Sequence, residues 1–238
     1  MSHALLQITT LHAADAEAAQ AGGADRLEIV GSTDDGGMSP EPATVSSVVR
    51  ATYLPVRVVL RLSEGYGTTG GELVRLMGLA ESYLAAGAEG VVFGFLTADL
   101  EVDVDVASRL VDTISPAPWT FHRAIDSSLD LDRSWRRLRE LPGLDAVRTA
   151  GSALDVDRGL DELTRLAASD PWIADRMVAG GGLRPEHVPW LLRAGVRGFH
   201  VGASVRPGGS WDRAYVDASY VRSWRLLLDD AVGRVATS

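Results

Sequence analysis

Short apolar runs with alternating polar positions recur along the chain, separated by longer stretches carrying the three-to-four-residue spacing of amphipathic helices. Strand-type runs fall at about 5–9, 25–30, 56–62, 90–95, 118–123, 145–149, 176–180 and 198–202. Helical patterns follow them at about 13–21, 44–51, 72–86, 105–114, 131–141, 154–168, 185–194 and 220–232. Pro40 and Pro185 stand where helix starts tolerate proline, and Gly22, Gly87, Gly143 and Gly195 where helix ends favour glycine.

A weak internal repeat supports this alternation. Ala21-Gly22-Gly23-Ala24, Ala86-Gly87-Ala88-Glu89, Leu141-Pro142-Gly143-Leu144 and Ala194-Gly195-Val196 each lead from a helical pattern into a strand. Eight strand–helix units without an intervening linker predict an α/β fold, a TIM (β/α)8 barrel in a single domain spanning 1–238. A doubly wound open sheet is the competing architecture, but no G-x-G-x-x-G follows the first strand.

Composition narrows the chemistry. The chain has 238 residues and a formal net charge of −9, which argues against nucleic acid or anionic membranes as partners. All 23 basic residues are arginine, and cysteine is absent. Without an ε-amine there is no Schiff-base lysine and no covalently held pyridoxal phosphate; without thiols there is no disulfide, thiolate metal site or Fe–S cluster. No basic stretch followed by a long apolar run marks a signal peptide, and no apolar run reaches membrane-spanning length, so a cytoplasmic protein is expected.

In a barrel the outer strand face meets the helices, so polar residues alternate inward. Leu6/Ile8, Leu27/Ile29, Val58/Leu60, Phe121, Val178 and Phe199/Val201 make the expected outer set. Gln7, Glu28, Arg61 and His122 have the opposite parity, late in their strands, and the late end of a barrel strand is the catalytic mouth. His200 has open parity, since Phe199 could equally be the inward residue. Read singly, Glu28 is as well explained as a structural partner of Arg61 or Arg26, and a histidine as a hydrogen-bonded core residue. Their convergence at one end favours function.

The densest chemical stretch is Thr120-Phe121-His122-Arg123-Ala124-Ile125-Asp126, with an imidazole, a guanidinium and a carboxylate at one strand end. It offers a proton carrier, an anion clamp and an orienting group, or alternatively an Arg123–Asp126 turn pair. Gly180-Gly181-Gly182 and Gly202-Ala203-Ser204 follow the last two strands, where barrels commonly cradle an anion with backbone N–H groups. Gly180, Gly181, Gly182, Gly202 and Ser204 are therefore the expected anion-binding residues, with charge from Arg61, Arg123 and Arg148. No histidine spacing marks a metal site; His122 and His200 are the candidates.

Gly23-Ala24-Asp25-Arg26-Leu27-Glu28, Gly36-Gly37-Met38-Ser39-Pro40, the 120–126 stretch, Ala179-Gly180-Gly181-Gly182 and Phe199-His200 occur in this order, and together they resemble the CutC family, called copper homeostasis proteins. The resemblance runs from about Leu5 to beyond Ser204. It implies a cytoplasmic TIM barrel, a homo-oligomer, and copper binding or handling. The chain departs from the family pattern at Leu6-Gln7-Ile8-Thr9, where Leu-Glu-x-Cys is common, and at Glu28-Ile29-Val30, where Glu-Leu-Cys is common. It departs again at Arg61-Leu62-Ser63, Gly65-Tyr66-Gly67 and Thr149-Ala150-Gly151. The cysteine ligands have no counterpart here, which speaks against direct copper(I) binding. The expected function is a CutC-like protein with a small-molecule anion site, built from Glu28, Arg61, His122, Arg123 and Asp126 beside the glycine loops. The alternatives are a lyase- or isomerase-type enzyme using His122 and Glu28 for proton transfer on a small anionic substrate, and a non-catalytic ligand-binding module.

Overall fold

The computed structural model describes residues 3–33, 37–211 and 215–236. Gly36 of the Gly36–Pro40 motif lies outside the described residues. Strands β1 Leu5–Thr10, β2 Arg26–Ile29, β3 Val56–Val59, β4 Gly90–Phe93, β5 Trp119–Phe121, β6 Leu144–Thr149, β7 Met177–Gly180 and β8 Gly198–Val201 pair in chain order. All pairings are parallel, and β1 pairs with β8 to close an eight-stranded barrel. Around it, among the described residues, lie α1 Ala13–Gly22, α2 Pro42–Ala51, α3 Gly70–Ala85, α4 Val104–Ile114, α5 Leu131–Arg139, α6 Val156–Ser169, α7 Pro171–Arg176, α8 Val188–Arg193 and α9 Ala218–Ala236. This is the predicted TIM (β/α)8 architecture. None of the described helices is long and apolar enough to cross a membrane.

Strand alternation does what the pattern requires. Leu6, Ile8, Leu27, Ile29, Phe93 and Phe199 are fully buried in the layer between barrel and helices. Burying each such side chain is worth about 1.5–3 kcal/mol, so a one-residue slip of any strand is heavily penalised. The side chains of Thr69, Asp103, Asp130, Asp155 and Asp170 accept N–H bonds at the starts of α3 to α7, each cap contributing about 1 kcal/mol.

Several local expectations change. β3 ends at Val59 and β5 at Phe121, so Arg61 and His122 lie just beyond their strands rather than on them. Val178 pairs in register with Arg148 and shares its inward face; its neighbours Met177 and Ala179 join the outer core instead. The proline at the start of α2 is Pro42 rather than Pro40. After α1 the left-handed residue is Gly23, while Gly22 packs against α9, where a Cβ would fall 2.5 Å from Val221 Cβ. The short α7 interrupts the predicted passage from one helix straight into β7.

The barrel interior is polar at its N-terminal end. Arg57 donates to Asp145 through Nη1 and Nη2, at 2.8 and 2.6 Å, and to Glu89 through Nε at 2.8 Å. Val30, Val59 and Val92 form a separate apolar cluster inside the barrel.

Candidate functional site at the barrel mouth

Five inward side chains from β1, β2 and β8 and one from β6 form a continuous network. In register, Gln7 pairs with Arg26 on one side and with His200 on the other, and Thr9 pairs with Glu28. His200 is therefore the inward residue and Phe199 the outward one. The Gln7 amide nitrogen donates to Glu28 Oε2 at 3.0 Å and lies 3.0 Å from His200 Nδ1. Gln7 Oε1 accepts from Arg26 Nε at 2.6 Å, and Thr9 Oγ1 lies 2.8 Å from His200 Nε2. Arg148 Nη1 donates to Glu28 Oε1 in a short contact.

Burial dominates the electrostatics. It pushes the Glu28 carboxyl above its ordinary pKa, against the pull of the Arg148 and Arg26 guanidiniums. It holds His200 well below the ordinary imidazole value, with Arg148 and Arg26 adding to the effect. His200 is therefore a neutral ring at pH 7.

His122 belongs to a neighbouring cluster. Its Nδ1 accepts the Ala124 N–H at 3.1 Å, and its ring lies 5.6 Å from that of Tyr66, over which Arg61 is placed at 4.9 Å. Burial first, then Arg148 and Arg61, hold its pKa well below the usual value. Glu28 and His122 share Arg148 as a neighbour but hydrogen-bond to different partners.

Arg123 and Asp126 tie two loops together. Arg123 Nε donates to Asp126 Oδ2 at 2.8 Å, and Nη2 reaches the carbonyls of Ser152, Ala153 and Leu154 at 3.1, 3.3 and 3.1 Å. Asp126 also accepts from Thr149 Oγ1 and from the Ala150 and Gly151 N–H groups. Three backbone or hydroxyl donors and a guanidinium account for this buried carboxylate, although burial still pushes its pKa upward. The pair reads structurally as the brace of the loop after β6.

Above the network lies a cavity of about 590 Å³, within the range of small-molecule sites. Gly181, Gly182, Gly202 and Ser204 line it, together with Arg123, Arg148 and His200. Among the described residues the N–H groups of Gly181, Gly182, Ala203 and Ser204 donate to no other group of the protein. The remaining wall combines apolar side chains, Val30, Leu183 and Trp211, with a rim bearing Asp155, Asp157 and Arg184. Glu28, Arg61, His122, Asp126 and Gly180 do not line it. Gly180 lies against His200, where a Cβ would come within 2.7 Å of His200 Cβ. Gly181 and Gly182 have φ of +100° and +71°, and a Cβ on Gly181 would fall 2.7 Å from Arg123 Nη1. Both glycines are thus demanded by the turn itself, whatever else they serve.

Sequence reasoning left Thr9 unassigned, gave Gln7 no role as a link, and treated Arg148 only as added charge. The strict alternation Gln7–Thr9 along β1 could have marked Thr9 as inward. Nothing local could have shown that Arg148 meets Glu28, 120 residues away. Among the described residues, no three histidine, aspartate or glutamate side chains come together in an arrangement able to hold a metal ion.

Comparison with known proteins agrees with this architecture. The model of the CutC family matches residues 5–205. A CutC protein of Klebsiella pneumoniae strain 342 is 32% identical over 210 residues, covering 87% of this chain and 81% of its own. One from Salmonella schwarzengrund is 31% identical over 203 residues, covering 85% and 81%. The solved CutC of Streptococcus agalactiae superposes with a TM-score of 0.75 at 19% identity, covering 84% of this chain and 98% of that one. A thiamine phosphate pyrophosphorylase from Pyrococcus furiosus shares the fold more distantly, with a TM-score of 0.58 at 17% identity over 97% and 96% of the two chains. Matches that span most of the chain, on a barrel carrying the ordered motifs read from its sequence, place this chain in the CutC family.

Proposed function

We propose that this CutC-family barrel binds a small anionic molecule at its C-terminal mouth and does not use that mouth as a direct copper(I) site. The observation that carries the reading is the cavity lined by Gly181, Gly182, Ala203 and Ser204, whose N–H groups are uncommitted, and by Arg148. Backbone donors of this kind, with a guanidinium below, suit phosphate or carboxylate oxygens. The cavity is several times larger than a lone oxyanion needs, so the ligand has a body that the apolar wall receives.

The CutC of Streptococcus agalactiae is named for copper homeostasis. The donor set of this chain does not fit copper(I), which favours thiolates and thioethers. Cysteine is absent, and both ring nitrogens of His200 face groups of the protein, Gln7 and Thr9. The adjacent Arg148 guanidinium opposes a cation there.

The test sets inorganic phosphate against copper(I). Phosphate at millimolar concentration raises the melting temperature, as ligand binding to the native state must. Ser204→Asp, a change at an exposed rim position, removes the shift by placing a carboxylate beside the donors. Equilibrium dialysis with a copper(I) chelator retains no stoichiometric copper on the protein. Phosphate without effect on the melting curve, or a tight one-to-one copper(I) complex, overturns the proposal.

A further inference from the structure

Hydrogen bonds at the floor of the mouth have a direction, and it can be followed atom by atom. A guanidinium only donates, so Arg26 Nε requires an acceptor, and at 2.6 Å that acceptor is Gln7 Oε1. The amide nitrogen of Gln7 then faces Glu28 Oε2 and His200 Nδ1, each at 3.0 Å, with one hydrogen for each. The opposite amide orientation would set donor against donor at Arg26 and acceptor against acceptor at Glu28. His200 Nδ1 therefore accepts, and the neutral ring carries its proton on Nε2. That Nε2–H donates to Thr9 Oγ1 at 2.8 Å. Arg148 Nη1, 3.4 Å from Nε2, is a second donor near a protonated nitrogen, so it bonds Glu28 and not the ring.

Two consequences meet at the cavity floor. With one of its two lone pairs taken by His200, Thr9 Oγ1 keeps its hydrogen to donate, and among the described residues it has no second partner. Arg148 is more than nine-tenths buried, its Nε is buried without a partner, and its Nη2 donates to no described group. Both side chains line the cavity. Thr9 also stands next to the glycine loop after β8, since a Cβ on Gly202 would fall 3.2 Å from its Oγ1.

We infer that the floor of the mouth presents hydrogen-bond donors, oriented by Gln7 through the His200 ring, that receive a carboxylate or carbonyl oxygen of a ligand whose phosphate-like group lies in the glycine loops. The ligand class is thus a small phosphorylated acid or carbonyl compound. This rests on the anion-site reading above and adds a second recognised group. Gln7 is a positioning residue in it: it touches no ligand but decides which atom of His200 carries the proton, and hence which way the Thr9 hydroxyl points.

Two measurements test it. In ligand-free protein, the 15N-edited histidine spectrum, assigned against His200→Asn, shows His200 as the Nε2–H tautomer. In Gln7→Glu the oxygen that replaces the amide nitrogen accepts from Nδ1–H, so the ring proton moves to Nδ1 and the Thr9 hydroxyl turns to donate to Nε2. Calorimetry with inorganic phosphate, glycerol 3-phosphate and phosphoglycolate shows phosphoglycolate binding about tenfold or more tighter than glycerol 3-phosphate, because its carboxylate reaches Thr9 and Arg148. Gln7→Glu abolishes that preference while leaving inorganic phosphate affinity nearly unchanged. Thr9→Val, which keeps the shape and removes the donor, abolishes it as well and serves if the Gln7 variant does not fold. An Nδ1–H or mixed tautomer in the native protein, or equal binding of the two organophosphates, overturns the inference even where inorganic phosphate binds. If no phosphate compound binds while the Nε2–H tautomer is present, the inference falls with the anion-site reading.

Discussion

Lysine at position 123 keeps the positive charge but loses the fork that holds Asp126 and three successive carbonyls. An ammonium is a point donor and cannot span them. Arg123→Lys is expected to lower unfolding stability by about 1–3 kcal/mol in urea denaturation, chiefly because the buried Asp126 loses a charge-assisted bond. If the melting curve is unchanged and phosphate affinity falls instead, Arg123 is an anion clamp rather than a brace. The sequence singles out this stretch, and the structure sets Arg123 in the cavity wall, while His122 and Asp126 do not line it. The sequence did not show which atoms are already engaged, because the carbonyls of 152–154 reach Arg123 only when the loop after β6 folds over it.

The connection from β8 to α9 shows the same dependence at the scale of elements. Asp15 on α1, fully buried, receives Arg206 Nη2 at 2.6 Å and the N–H groups of Leu11 and Val216 at 2.9 and 2.8 Å. Arg206 in turn lies 4.7 Å beneath the Trp211 ring, which packs over Gly202 at the mouth. Asp15→Asn is expected to cost about 3–5 kcal/mol, because it removes the charged acceptor that a buried guanidinium and two backbone N–H groups share. Denaturant titration checks the loss, and a change below about 1 kcal/mol would show the pair to be dispensable. The stretch between Val205 and Tyr215 reads as irregular in sequence, and residues 212–214 of it lie outside the described residues. The α7 turn was legible after all: Asp170 caps it and Pro171 opens it, the pairing that marks a helix start. Its six residues are too few for periodicity to register, so tertiary packing, with Trp172 between Arg139 and Arg176, stabilises it.

Across the whole molecule, buried neutral histidines make stability depend on pH. His122 and His200 are held below the ordinary value of 6.5, so the unfolded chain binds protons that the native barrel does not. Their contribution is complete above about pH 6.5 and is lost as pH falls through that value, by up to about 1.4 kcal/mol per imidazole per pH unit. Glu28 and Asp126, whose pKa values are raised, act in the opposite sense: their contribution is present below the unfolded carboxylate values and declines as pH rises through the folded ones. Urea-derived stability is expected to fall between pH 7.5 and pH 5.5, with a smaller slope in His200→Gln. The same slope in His200→Gln as in the native chain would show that this imidazole titrates normally.

What the sequence determined by itself is local and periodic. The two-residue alternation of Leu6-Gln7-Ile8-Thr9 or Arg26-Leu27-Glu28-Ile29 decides which side chains face the helices and which face the axis, because each strand carries that period in its own backbone. Repeated eight times with helices between, it specifies a parallel barrel. Partner choice is a different matter. Gln7 meets His200 across 193 residues only because β1 and β8 close the sheet in one register. The same closure settles the parity of His200, joins Arg148 to Glu28 and brings the β7 and β8 loops over Thr9. A strand's period is written within a few residues, whereas the register between strands is fixed by the packing of the whole barrel, and only that register turns a set of inward polar side chains into a site.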